Sequence, residues 1–82
     1  MLFFNRKKIR ITVTPYGIVA KYVRGGVYEL NEGAKLNKIL RKTGASGLGI
    51  NLVYMRGGER IKPSESLRDG DEIKILHLIG GG

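Results

Sequence analysis

Asp69-Gly70-Asp71-Glu72-Ile73-Lys74-Ile75-Leu76-His77-Leu78-Ile79 is the stretch on which the reading of the fold turns. Asp69-Gly70 has the chemistry of a tight turn: glycine adopts backbone angles closed to other residues, and aspartate hydrogen-bonds its own backbone. The run from Asp71 to Ile79 then reads as a strand, the most apolar in the chain. A strand that apolar belongs in the middle of a sheet. Strict alternation sends Ile73 and Ile75 to the core and Lys74 outward, and it turns Leu76 and Leu78 outward too.

The rest of the chain supplies neighbours for that strand. Lys8 to Thr14 alternates strictly, with Ile9, Ile11 and Val13 on one face, which is the pattern of a half-buried strand. Pro15-Tyr16-Gly17 breaks it, Ile18 to Val23 reads as a short helical turn, and Arg24-Gly25-Gly26 as a turn. Val27 to Leu30 is a second strand. Asn31-Glu32-Gly33 leads into a helix over Ala34 to Thr43, with Leu36, Ile39 and Leu40 on one face and Lys35, Lys38, Arg41 and Lys42 facing water. Gly44 supplies the helix stop. The start is poorly signalled, because no Ser or Thr stands just ahead of the apolar positions. Ala45 to Gly49 is loop, Ile50 to Met55 a third strand, Gly57-Gly58 a turn, and Glu59 to Lys62 a short fourth strand. Pro63 to Arg68 passes over the surface. The order β-β-α-β-β is mixed α+β, with one helix packed on one face of a sheet. The long crossover containing the helix makes the first and last strands parallel.

Eighty-two residues form one small domain near the lower limit of what folds without a covalent or metal staple. There are no cysteines, which removes disulfides, thiolate metal sites and a catalytic thiol together. The single histidine, His77, is too few for a histidine metal cluster. Fifteen Lys/Arg against seven Asp/Glu give a net charge of +8, which favours an acidic partner or nucleic acid. The bases are spread along the chain, as on a solvated surface. Met1-Leu2-Phe3-Phe4 is too short to span a membrane or act as a secretory core, so the expected location is cytoplasmic, with no membrane partner. Leu2 to Phe4 either prolongs the first strand or covers a core edge.

No catalytic constellation is visible. Gly44-Ala45-Ser46-Gly47-Leu48-Gly49 follows a helix instead of opening one and lacks a following Gly-Lys-Ser/Thr, so it reads as a connection and not as a phosphate loop. The chain has no visible ATP site of its own. Arg24-Gly25-Gly26 and Arg56-Gly57-Gly58 sit between expected strands and read as turns, not as RNA-binding elements. His77 has no Ser, Cys or paired carboxylate placed to work with it. Asp69, Asp71 and Glu72 lack the ligand count of a calcium loop.

After the last strand come Gly80-Gly81-Gly82. Glycine is poor strand material but fits a slot that excludes any side chain. Three residues reach roughly 10 Å at about 3.3–3.6 Å each. Such a tail can deliver the carboxylate of Gly82 into a partner's active site while the body stays outside. Residues 1–77 are then the domain and 78–82 the extended tail. Leucines 76 and 78, turned outward beside the tail, form a docking patch.

With these residues placed, the chain resembles the ThiS/MoaD family of ubiquitin-like sulfur carriers. Leu67-Arg68-Asp69-Gly70-Asp71-Glu72-Ile73-Lys74-Ile75 looks like the family's Leu-x-Asp-Gly-Asp-Glu-Val-x-Ile turn and strand, which runs into a terminal Gly-Gly. Glu32-Gly33-Ala34, followed by Leu36 and Leu40, looks like the family's helix entry. Pro15-Tyr16-Gly17 is more similar to the MoaD branch, His77 and the triple glycine to the ThiS branch. Two departures stand out: Lys35 replaces a frequent helix-capping Thr, and Gly57-Gly58 lengthens a turn.

The resemblance implies a β-grasp fold and a covalent carrier that is not itself an enzyme. Gly82 would be adenylated and converted to a thiocarboxylate, Gly80 and Gly81 would thread the tail, and Leu76, His77, Leu78 and Ile79 would dock the partner. It implies no cofactor bound by this chain, with ATP used by an adenylating enzyme of the MoeB/ThiF type. A sulfur donor and a downstream synthase complete the partners, in thiamine (thiazole) or molybdopterin biosynthesis. The route needs no cysteine in the carrier. Two rivals stand beside it: a ubiquitin-like modifier joined through Gly82 to lysines of target proteins, and a basic β-grasp module that binds RNA. Nucleic acid is the less expected partner.

Overall fold

The computed structural model describes residues 7–78, and Leu2 to Phe4 lie outside the described residues. Five strands and one α-helix follow in the order β1 (Lys8–Pro15), β2 (Gly26–Asn31), α1 (Leu36–Thr43), β3 (Leu52–Arg56), β4 (Glu59–Ile61) and β5 (Glu72–His77). A 3-10 helix, Gly17–Lys21, bridges β1 and β2 where the sequence suggests a helical turn. The short segment Glu59–Ile61 is a full member of the sheet, paired antiparallel to β3 from Arg56↔Glu59 to Tyr54↔Ile61. The order is therefore β-β-α-β-β-β, one strand more than the β-β-α-β-β expected.

The sheet runs β2-β1-β5-β3-β4. The most apolar strand is central, as its composition demands: β5 lies parallel to β1 (Val13↔Ile73, Pro15↔Ile75) and antiparallel to β3 (Val53↔Leu76, Leu52↔His77). Its inward residues, Ile73 and Ile75, are fully buried with Ile11 and with Leu36 and Ile39 of the helix. Period-two positions of the strands meet period-3.6 positions of α1 across one core. Thr43 is the one buried polar residue among those described, and its hydroxyl donates to the Leu40 carbonyl at 3.4 Å.

The Asp69-Gly70-Asp71 turn seats β5 on β1. Asp69 Oδ1 accepts the Arg10 N–H at 2.8 Å, the Gly70 N–H donates to the Arg10 carbonyl at 2.9 Å, and the Asp71 carbonyl accepts the Thr12 N–H at 2.9 Å. Asp71 Oδ2 closes the turn by accepting the Arg68 N–H at 2.8 Å. The acidic residues thus act on the backbone and set the parallel register.

Pro63 to Arg68 does more than pass over the surface. Its Leu67 is buried, its Ser66 bridges to Lys35, and its carbonyls cap the helix. The Leu36 N–H donates to the Glu65 carbonyl at 2.8 Å and the Asn37 N–H to the Pro63 carbonyl at 2.9 Å. Lys35, at the N-cap, makes no side-chain capping bond. Main-chain carbonyls from a distant loop satisfy donors that a Ser or Thr would otherwise meet. This docking also explains why α1 begins at Leu36 and not at Ala34, whose carbonyl accepts the Leu67 N–H at 2.8 Å. Gly44, left-handed at φ 88°, ends the helix.

Candidate functional site

The end of β5 is held from both sides. On one side the Tyr16 N–H donates to the Ile75 carbonyl at 3.0 Å, and on the other the Leu78 N–H donates to the Asn51 carbonyl at 3.0 Å. The ladder therefore continues one residue past His77. Paired strands on each flank and buried isoleucines at 73 and 75 make this a rigid base for whatever follows. Ile79, Gly80, Gly81 and Gly82, to which tail and docking roles attach, lie outside the described residues.

Leu76 stands directly opposite Val53, on the sheet face away from the helix, and is half-buried there. Leu78 is exposed. Both leucines take the outward side that alternation assigns. His77 takes the other: it lies opposite Leu52, on the face of Ile73 and Ile75. Its Nδ1 is buried without a hydrogen-bond partner among the described residues. Leu76, His77 and Leu78 are thus adjacent in sequence but divided between two faces.

The rim around Leu78 gathers further apolar surface that sequence patterning does not single out. Tyr16 and Ile18 follow the end of β1, Ile50 precedes β3, and each is exposed. Tyr16 is bonded to Ile75, and Ile50 neighbours Asn51, the acceptor for Leu78. Four of the six large exposed hydrophobic residues among those described therefore lie on or next to segments paired with the end of β5. Strands distant in sequence place them at one end of the sheet, so no local periodicity announces the group. The signal present was a residue type out of place: a tyrosine and an isoleucine in a Pro-Gly break.

At the opposite end of β5, Arg56 sits beside Ile73 and holds three acceptors. Its guanidinium donates to Asp71 Oδ2 at 3.2 Å, to the Ser66 carbonyl at 2.9 Å and to Glu65 Oε2 at 3.3 Å. These bonds fasten the Pro63 to Asp71 loop to β3, a structural role. Tyr54, partly packed on the core, has its phenol pushed above the ordinary value by desolvation.

Of the two Arg-Gly-Gly elements only the second is a turn: Arg24 and Gly25 form an irregular link, and Gly26 is already the first residue of β2. Gly57 and Gly58, at φ 58° and 84°, form the two-residue hairpin between β3 and β4, a geometry that needs positive φ at both positions. A Cβ on Gly25 would lie 2.7 Å from Pro15 Cδ and 3.1 Å from the Val13 carbonyl oxygen, so the close chain approach there requires glycine. Among the described residues no group of three or more His, Cys, Asp or Glu is placed to hold a metal ion. Among them, too, no helix is long and apolar enough to cross a membrane.

Fold and rim together define a small α+β domain: a five-strand mixed sheet, one helix on one face, and a central last strand ending at an apolar rim. The chain is similar to the solution structure of the HVO 2177 protein of Haloferax volcanii, with a TM-score of 0.75 at 14% sequence identity. The match covers 100% of this chain and 94% of that one, and at this identity it is a likeness of fold. No protein-family model matches the chain, and no curated protein sequence matches it.

Proposed function

We propose that this protein is a ubiquitin-like β-grasp sulfur carrier of the ThiS/MoaD kind, whose Gly82 carboxylate is the reactive group. The observation that carries the reading is the placement of β5, a central strand held on the β1 side as far as Ile75 and on the β3 side as far as Leu78, with Gly80-Gly81-Gly82 following in the sequence. A rigid base next to a run without side chains suits delivery of a carboxylate into a slot too narrow for a Cβ. Holding any such run extended in a slot costs on the order of 1–2 kcal/mol per residue. Main-chain hydrogen bonds in the slot and apolar contact at Leu76, Leu78 and Tyr16 offset it.

A free carboxylate is a poor electrophile, so activation comes from a partner. A Gly82 carboxylate oxygen attacks the α-phosphorus of ATP and pyrophosphate leaves, giving an acyl-adenylate. Sulfur at the sulfide level, supplied by a donor, then attacks the acyl carbon. AMP leaves with its bonding electrons, a proton is released, and Gly82 carries a thiocarboxylate. The partner is an adenylating enzyme of the MoeB/ThiF type, and a downstream synthase in thiazole or molybdopterin assembly consumes the sulfur.

The test is incubation with ATP, a MoeB/ThiF-type enzyme and sulfide, followed by intact-mass analysis. The expected result is an adenylate and then the mass gain of one oxygen replaced by sulfur, both lost when Gly81 and Gly82 are deleted. Modification that survives the deletion, or none with any such enzyme, overturns the reading. Large conjugates to lysines of other proteins in native cells would replace it with the modifier function.

A further inference from the structure

The sheet carries a second surface at its other edge. β2 is a terminal strand, so one side of its backbone has no strand partner among the described residues. The Glu32 N–H donates to the Lys7 carbonyl at 2.7 Å, which sets the phase of the antiparallel ladder. Leu30, Tyr28 and Gly26 consequently turn their main-chain groups toward β1, while Val27, Glu29 and Asn31 turn theirs outward. The Asn31 carbonyl is taken by the Ala34 N–H at 3.1 Å. The other outward groups form an open edge, a template for an added strand. Val27 on that edge is 64% exposed, the highest value among the large hydrophobic residues described.

A groove of about 570 Å³ runs between this edge and α1. Its lining holds five cations, Lys8, Lys35, Lys38, Arg41 and Lys42, against two carboxylates, Glu29 and Glu32. Helical spacing puts Lys35, Lys38 and Arg41–Lys42 along one stripe beside the strand. None takes part in an ion pair among the described residues, where both pairs belong to Arg56. Lys8 Nζ donates to Asn31 Oδ1 at 2.7 Å, which holds its ammonium at the edge.

We infer that β2 and α1 form a docking groove for an extended acidic peptide segment of a partner protein. The segment adds to the sheet alongside Val27–Asn31 and sets its carboxylates against Lys35, Lys38 and Arg41. Unpaired main-chain donors and acceptors recognise a peptide backbone, and the unbalanced cations select acidic side chains. A single-stranded nucleic acid would find phosphate partners here but no aromatic platform, since the lining contains none. The groove meets β2 where Asn31 pairs with Lys8, the far end of β1 from Pro15, which pairs with Ile75 of β5. It does not depend on the sulfur-carrier reading.

The probe is a short fluorescent peptide alternating valine with glutamate, titrated into the full chain with amide shifts followed by NMR. Binding is expected, with the largest shifts at Val27, Glu29, Asn31 and along α1, and it should survive deletion of Gly81 and Gly82. Lys38→Glu combined with Arg41→Glu should weaken it about tenfold without changing the fold, as both side chains are exposed. A peptide N-methylated along one edge should lose binding. Equal affinity of the N-methylated peptide would overturn strand addition. Absence of binding, tighter binding of the lysine counterpart or of oligo-uridine RNA, or self-association through β2 without peptide would overturn the acidic-peptide assignment.

Discussion

Replacing Lys35 by Thr places a good capping residue at the N-cap of α1, and in most helices it would be expected to stabilise by about 1 kcal/mol. Here the expected gain is below about 0.5 kcal/mol, the range of a neutral surface change. A capping hydroxyl accepts from the second or third amide of a helix. In this protein the Asn37 N–H is occupied by the Pro63 carbonyl at 2.9 Å and the Lys38 N–H by the Lys35 carbonyl at 3.0 Å. The hydroxyl meets no orphan donor. The complementary change is Arg56→Ala, far from α1 in sequence, which releases the loop carrying those carbonyls. Three bonds to Ser66, Asp71 and Glu65 are lost. The guanidinium side chain is 26% exposed and that of Glu65 is 47% exposed, so solvent screens the pairs, and a loss of about 1–2 kcal/mol is expected. For a domain of this size the melting temperature should fall by roughly 5–15 °C. Hydrogen exchange reads the cause directly. In the wild type the Leu36 and Asn37 amides should be protected like the helix interior, although the first amides of a helix are ordinarily orphans. Arg56→Ala should remove that protection first. Fast exchange at Leu36 and Asn37 in the wild type, or a gain of 1 kcal/mol from Lys35→Thr, would refute capping by the loop.

Three further outcomes are expected. Under the proposed function, Leu76→Glu should weaken binding to an adenylating enzyme of the MoeB/ThiF type at least tenfold by calorimetry, because it sets a charge beside Val53 on the helix-free face; unchanged affinity, or loss of the native spectrum, would count against docking there. The Tyr54 phenol, held neutral by burial, contributes stability that is complete below its ordinary value of 10.0 and declines as pH rises through its higher folded value. Denaturant midpoints across that range should fall more steeply for the wild type than for Tyr54→Phe, and parallel curves would refute the assignment. Gly25→Ala should cost about 1–3 kcal/mol in urea melts, since a Cβ there lies 2.7 Å from Pro15 Cδ and 3.1 Å from the Val13 carbonyl oxygen, and a change below about 0.5 kcal/mol would refute the close approach.

Legibility differed by element. β1 and β5 could be read because each carries period-two alternation over enough residues to define a face, and Ile9, Ile11, Val13, Ile73 and Ile75 are all buried as that alternation requires. Glu59 to Lys62 is legible as a short strand, but three paired residues hold too little pattern to give β4 a place in the order of the sheet. The candidate site was legible in part. Leu76 and Leu78 followed from alternation, but the same alternation parts His77 from them, and a run of sequence neighbours does not show that division. Tyr16, Ile18 and Ile50 reach the rim through β1–β5 and β3–β5 pairing, which is long-range information. The basic groove escaped for the same reason: Lys8 and the lysines of α1 are far apart in the chain, and only the edge position of β2 makes them neighbours.

From sequence alone came the strand faces, the helix face, the central and parallel placement of β5, the turns at Gly57-Gly58 and Asp69-Gly70, and the glycine run after Ile79. Each rests on a local rule, a residue's own backbone freedom or a short period of apolar side chains. Tertiary structure decided which loop caps α1, which exposed hydrophobic residues lie at the β5 end of the sheet, and which cations share a groove with an open strand edge. Those features depend on pairing between segments tens of residues apart, where the free energy lies in contacts that no window of sequence contains.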